Sequence, residues 1–146
     1  IKLFNKGVYS KNCKKDFIRV LDNPFANFVY GEKKGYGKME KIKISLIDIK
    51  DIIKNYDLVK IDAEGSEAKI ITNIGKNNLL NTDFIVEVSG EKNARNIFNY
   101  CKKNNVNIFS HKNKWKKVDK LEKMPFHHSQ GLIIISKNKN YFHELI

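Results

Sequence analysis

The chain has 146 residues and a mass of 17.0 kDa, the size of one domain and too small for two. With 41% hydrophobic and 11% aromatic residues it has enough apolar surface for a packed core, which excludes a disordered chain despite a mean hydropathy of −0.50. The net charge of +12 raises nucleic acid and anionic membranes as partners, but only Arg19 and Arg95 are arginines. The guanidinium forks that read phosphate and guanine are nearly lacking, so a solvated lysine surface is the stronger reading.

Residues 2–9 and 16–21 read as two short strands, the second as Phe17-Ile18-Arg19-Val20-Leu21. Residues 22–38, with Asn23-Pro24, Gly31, Gly35 and Gly37, have the composition of turns and a mobile loop, and read as a lid or substrate loop. Ile42 and Ile44 alternate in a strand over 41–45. Ser45 with Asp48 resembles a capping box, after which Leu46, Ile49, Ile52, Ile53 and Tyr56 recur at helical spacing. Leu58-Val59-Lys60-Ile61 reads as a short buried strand. Residues 66–74 read as a helix whose Ala68, Ile71 and Ile74 share a face, ending near Gly75. Residues 84–88 form the next strand, and Ser89 can cap a helix that places Ala94, Ile97, Phe98 and Cys101 at i, i+3, i+4 and i+7. Lys102 and Lys103 suit the C-terminal end of that helix. Strands over 106–109 and 132–136 follow, separated by the basic segment 111–130. Strands alternating with helices predict an α/β fold, with a largely parallel sheet and helices on its faces.

The longest apolar runs, 132–135 and 84–86, fall far short of the roughly 20 residues that span a bilayer, so no membrane segment is expected. The N-terminal residues carry no basic stretch followed by an apolar run and do not read as a signal peptide. Cys13 and Cys101 lack C-x-x-C spacing and predict two free thiols in a cytoplasmic setting, the second in a helix core. His127 and His128 are expected to point in different directions from a loop, with His127 able to reach a nearby crevice. Trp115, among Lys112, Lys114, Lys116 and Lys117, has no second aromatic nearby. It reads as the anchor of a surface hairpin and not as a stacking platform for single-stranded nucleic acid.

The chemistry concentrates in Asp57-Leu58-Val59-Lys60-Ile61-Asp62-Ala63-Glu64-Gly65-Ser66-Glu67. On an extended backbone alternate residues share a side, so Lys60, Asp62 and Glu64 line up with Val59 and Ile61 opposite. Buried ionisable groups cost on the order of several kcal/mol each unless paired, and in open α/β sheets the carboxyl end of a strand is where ligands bind. Gly65 permits a sharp turn, and a close approach to a ligand, before the helix near Ser66; Glu67 falls in its first turn. The plainer alternatives are an internal Lys60–Asp62 ion pair and a Glu67 that only complements the helix N-terminus. Glu87, near the end of the following strand, brings another carboxylate toward the same crevice, against a plain role as a solvated strand end.

These residues resemble the FkbM-type S-adenosylmethionine-dependent methyltransferases. Their signature D-x-x-K-I-D-[VA]-E-G-x-E is followed by a strand carrying a glutamate, here Ile85-Val86-Glu87-Val88. Ile42-Lys43-Ile44-Ser45-Leu46-Ile47-Asp48 also resembles the family's strand leading into a T-L-D-D helix start, with Ile47 in place of the first aspartate. The resemblance implies a Rossmann-like class I methyltransferase sheet with helices on both faces. It also implies transfer of a methyl group from S-adenosylmethionine to an oxygen, typically a hydroxyl of a sugar or small metabolite.

By the same resemblance Asp62 positions the acceptor or acts as general base, Lys60 orients Asp62, and Glu87 joins them as a catalytic residue. Glu64, Gly65 and Glu67 are the cofactor-binding residues. A divalent metal on Asp62, Glu64 and Glu87 ranks second to metal-free chemistry. No glycine-rich loop after a first strand precedes Lys60, so residues 1–146 read as one partial domain, the C-terminal portion of the family's fold with its N-terminal strands missing. The resulting gap in the sheet would be filled by rearrangement or by a second copy in a homo-oligomer. The expected partner is a small-molecule hydroxyl acceptor, with a basic nucleic-acid-binding module or a non-catalytic remnant of the fold as the alternative.

Overall fold

The structure, a computed structural model, describes residues 2–138. The first half of the chain forms a four-stranded sheet from β1 (Gly7–Tyr9), β2 (Cys13–Val20), β3 (Phe28–Val29) and β4 (Met39–Asp48), in the order β1-β4-β2-β3. Strands β2 and β4 run antiparallel from Cys13↔Leu46 to Val20↔Met39. Cross-strand pairs between Arg19 and Glu40 at 2.9 Å and Lys41 and Asp16 at 3.6 Å reinforce that register. Strand β1 is shorter than the pattern over 2–9 predicts, and residues 22–38 contain β3 and a 3-10 turn over Pro24–Ala26 in place of a plain loop.

The expected capping box at Ser45 does not form. Leu46 pairs on both sides, with Gly7 of β1 and Cys13 of β2, so the strand continues to Asp48. Asp48 itself then caps α1 (Ile49–Ile52), accepting from the Lys50 backbone N–H at 2.9 Å. The helix passes at once into a 3-10 turn over Ile53–Asn55.

The second half forms a five-stranded sheet. Its elements are β5 (Leu58–Ile61), α2 (Glu67–Asn73), α3 (Lys76–Asn81), β6 (Asp83–Glu87), α4 (Glu91–Asn104), β7 (Asn107–Ser110), β8 (Lys116–Lys117) and β9 (Leu132–Ser136), with strand order β5-β6-β9-β7-β8. Strands β5 and β6 are parallel, with Lys60 opposite Ile85, and β9 runs antiparallel to both β6 and β7. Thus β5, β6 and β7 point one way and β9 is inserted between β6 and β7 against them.

This corrects the expectation of a largely parallel sheet. Among the described residues the parallel pairs are β1 with β4 and β5 with β6; the other pairs are antiparallel. Helical crossovers keep β5, β6 and β7 in one direction. The chain returns to β9 through 111–130 without an α-helix, and so arrives reversed.

Among the described residues the helices that pack on the second sheet also do not sit on both of its faces. Ile49 of α1, Ile70 and Ile71 of α2, Leu79 of α3 and Ile97 of α4 join a single core with Phe84, Val86, Ile133 and Ile135. In the sheet register those strand residues share one face, whereas Ile85 and Ile134 of the other face lie outside this core. Helix α4 follows its predicted periodicity and ends on Asn105 in the left-handed conformation (φ 55°), whose N–H bonds the carbonyls of Cys101 and Lys102. Its N-cap is Gly90 and not Ser89. Cys13 and Cys101 are both free; Cys101 is buried, and burial pushes its thiol up to about 12. Among the described residues no helix is long and apolar enough to cross a membrane.

Candidate functional site

Strand β5 is extended only to Ile61. Glu64 (φ 45°) and Gly65 (φ 103°) then turn the chain through the left-handed region into α2. The end of β5 opens on a cleft of about 360 Å³ between the two sheets. Both flanking strands, β1 and β5, are sheet edges. Apolar side chains including Val8, Phe17, Phe28, Leu46 and Ile61 make the walls, and Lys60, Asp62, Glu64 and Ser66 lie on its lining.

The charged residues are arranged differently from the predicted row. Lys60 Nζ lies 3.5 Å from Asp62 Oδ2, but the two side chains are 61% and 42% exposed. This is an open rim pair, of the sort that contributes about 0–1 kcal/mol, and not a buried cluster. Glu64 does not continue the alternation. The turn swings it to Lys33, with which it forms a short ion pair.

Within this segment the buried carboxyl is that of Glu67, which is fully enclosed and does not line the cleft. Its Oε1 accepts from the Gly65 backbone N–H at 2.8 Å and from the Ser89 hydroxyl at 3.3 Å. Its Oε2 and the Ser66 hydroxyl have no partner among the described residues. Burial pushes the Glu67 carboxyl above the ordinary carboxylate range, and the bonds from Gly65 and Ser89 oppose that rise. Ser89 therefore serves Glu67 instead of capping α4. Asn93 completes the network: its Nδ2 donates to the carbonyls of Gly65 at 3.0 Å and Ser89 at 2.8 Å, while its Oδ1 accepts from the Ala68 N–H at 3.0 Å. The turn after β5 and the turn after β6 are thereby locked together.

Glu87 is half-buried at the end of β6, paired in register with Leu132. Extending the β5–β6 register by one residue sets it level with Asp62, yet it lies outside the cleft lining. His127 is exposed and also off the cleft, its Nδ1 2.9 Å from the Ser129 hydroxyl. Against expectation its ring does not point away from its neighbour: the His127 and His128 centroids are 3.9 Å apart at 39°. Trp115 anchors the β7–β8 hairpin as predicted, edge-on to His111 at 5.4 Å. Among the described residues no group of three or more His, Cys, Asp or Glu side chains is placed to hold a metal ion.

Sequence reasoning missed Glu32, Lys33, Lys69 and Asn93. The first two sit in a loop with no periodicity. Asn93 carries a faint signal, since an Asn in a first helical turn commonly bonds to nearby backbone.

A mixed α/β chain with a charged strand-to-helix turn beside a cleft is the setting in which the Methyltransferase FkbM domain matches residues 6–127. The chain belongs to the FkbM methyltransferase family. No curated protein and no solved structure matches it.

Proposed function

We propose that this chain uses S-adenosylmethionine to methylate a hydroxyl oxygen of a sugar or small metabolite. The charged rim of Lys60, Asp62 and Glu64 over an apolar cleft carries this reading. When bound, S-adenosylmethionine supplies a methyl group on a positively charged sulfonium. The residues present fit that group. The carboxylates of Asp62 and Glu64 favour a cation at the cleft, and Phe28 and Ala63 offer apolar wall to an adenosine. The Ser66 hydroxyl, buried and unpartnered among the described residues, lines the same space. The volume lies within the range of about 300–1,000 Å³ usual for small-molecule sites.

Asp62 receives the proton of the acceptor hydroxyl, and Lys60, 3.5 Å away, orients its carboxylate. Glu87, one residue past the last β5–β6 pair and off the cleft lining, is assigned to the acceptor side by its place at the end of β6. Gly65 and Glu67 act through the shape of the turn, since the Gly65 N–H is already bonded to Glu67. The two free thiols support a cytoplasmic setting.

Methyl transfer to a panel of hydroxyl compounds tests this directly. Asp62→Asn is expected to lower kcat by about 10²–10⁴-fold with little change in the KM for S-adenosylmethionine; a variant as fast as the wild type would contradict the assignment. No methyl transfer by the wild type, together with oligonucleotide binding that falls steeply with salt, would favour the basic-module alternative.

A further inference from the structure

Residues 31–34 form a strap across the turn that follows β5, and it is anchored from three elements. The Glu32 side chain is only 5% exposed. Its Oε1 accepts from the Tyr9 hydroxyl of β1 at 2.6 Å and from Lys69 Nζ of α2 at 2.7 Å, with Lys15 Nζ of β2 at 3.9 Å. A carboxylate this buried persists only with such partners. The strap also presses on the turn: a Cβ placed on Gly65 would come within 3.0 Å of the Glu32 carbonyl oxygen and 3.4 Å of Lys33 Cβ. Lys33 lies 5.5 Å from the centre of the Phe28 ring and pairs with Glu64 Oε2.

Glu64 holds a φ of 45°, a conformation that a non-glycine residue keeps only when its surroundings impose it. Lys33 engages one carboxylate oxygen, and Oε1 takes no hydrogen bond among the described residues. Glu64 itself lines the cleft, so its carboxylate belongs to the wall that a ligand there would meet.

We propose that Glu32 and Lys33 are positioning residues of the cleft: Glu32 anchors the strap, and Lys33 fixes the Glu64 carboxylate so that Oε1 is presented to a ribose hydroxyl or a cation. This rests on reading the cleft as the methyl-donor site. A free glutamate would have to be ordered when the ligand arrives, and that ordering weakens binding; Lys33 removes the need beforehand.

Two measurements on the full chain test the assignment, hydrogen exchange of the amides over 63–67 and calorimetric titration with S-adenosylmethionine. Lys33→Ala is expected to speed exchange over 63–67 while leaving α4 unchanged, and to weaken S-adenosylmethionine about tenfold, the scale of one charge-assisted hydrogen bond. Glu32→Gln should behave alike, and Lys33→Arg should restore both properties. Unchanged exchange in Lys33→Ala overturns the proposal, as does faster exchange with unchanged affinity. A wild-type chain that binds no S-adenosylmethionine contradicts the functional reading instead. The comparison of Lys33→Ala with Lys33→Arg by exchange then still decides the strap, equal protection overturning it.

Discussion

Glu67 keeps a carboxyl group where no water reaches it, with one oxygen bonded to Gly65 and Ser89 and the other unpartnered among the described residues. Its folded pKa is raised, so the sign of its effect on stability is fixed. Below the ordinary carboxylate range both folded and unfolded chains are protonated and the group is neutral in its effect. As pH rises through that range the unfolded chain gives up its proton first, and stability falls until the folded carboxyl also ionises. Glu67→Gln keeps an acceptor for the Gly65 N–H and removes the charge. Thermal melts should show the variant more stable at pH 7 by on the order of 1 kcal/mol, about 2–4 °C in Tm for a chain of this size. The difference should vanish near the acid end; a variant that melts with the wild type at every pH would contradict this account. The sequence exposes Lys60 and Asp62 because their relation is local. It conceals that Glu67 is a buried acid, since Ser89 reaches it only once β6 lies beside β5.

Between elements, Asn93 is the most connected polar side chain of the turn region, joining Gly65, Ser89 and Ala68. Asn93→Ala would leave two carbonyls and one N–H without those partners, and should cost about 2–4 kcal/mol at roughly a kcal/mol per lost bond. Urea denaturation measures this, and a loss under about 0.5 kcal/mol would show that water replaces the side chain freely. Element types with strong apolar signals were legible: β5, the period of α4 and the full extent of β9 follow from the residues alone. Helix α3 was not, because Lys76-Asn77-Asn78 gives its first turn no apolar face and only Leu79 is fully buried. Ser45 to Asp48 misled for another reason: local capping chemistry is outweighed when Leu46 can pair with strands on both sides.

At the scale of the whole molecule, a local pattern of strands and helices is compatible with more than one arrangement of sheets. The direction of β9 depends on a return path through residues 111–130 that carries little periodicity, and the separation into two sheets depends on which edges meet. The rim motif was therefore readable, and the cleft beside it was not: its far wall comes from β1, β2, β3 and β4, which pair in a separate sheet. The account stands on the claim that the methyl donor occupies this cleft at the end of β5. An NMR titration of the amide resonances with S-adenosylmethionine tests it most directly. Shifts concentrated over residues 60–66, with Gly7 and Val8 across the cleft, are the predicted result. No shifts at saturating ligand, or shifts confined to the groove between Lys102 and Lys117 at the other end of the sheet, would contradict it.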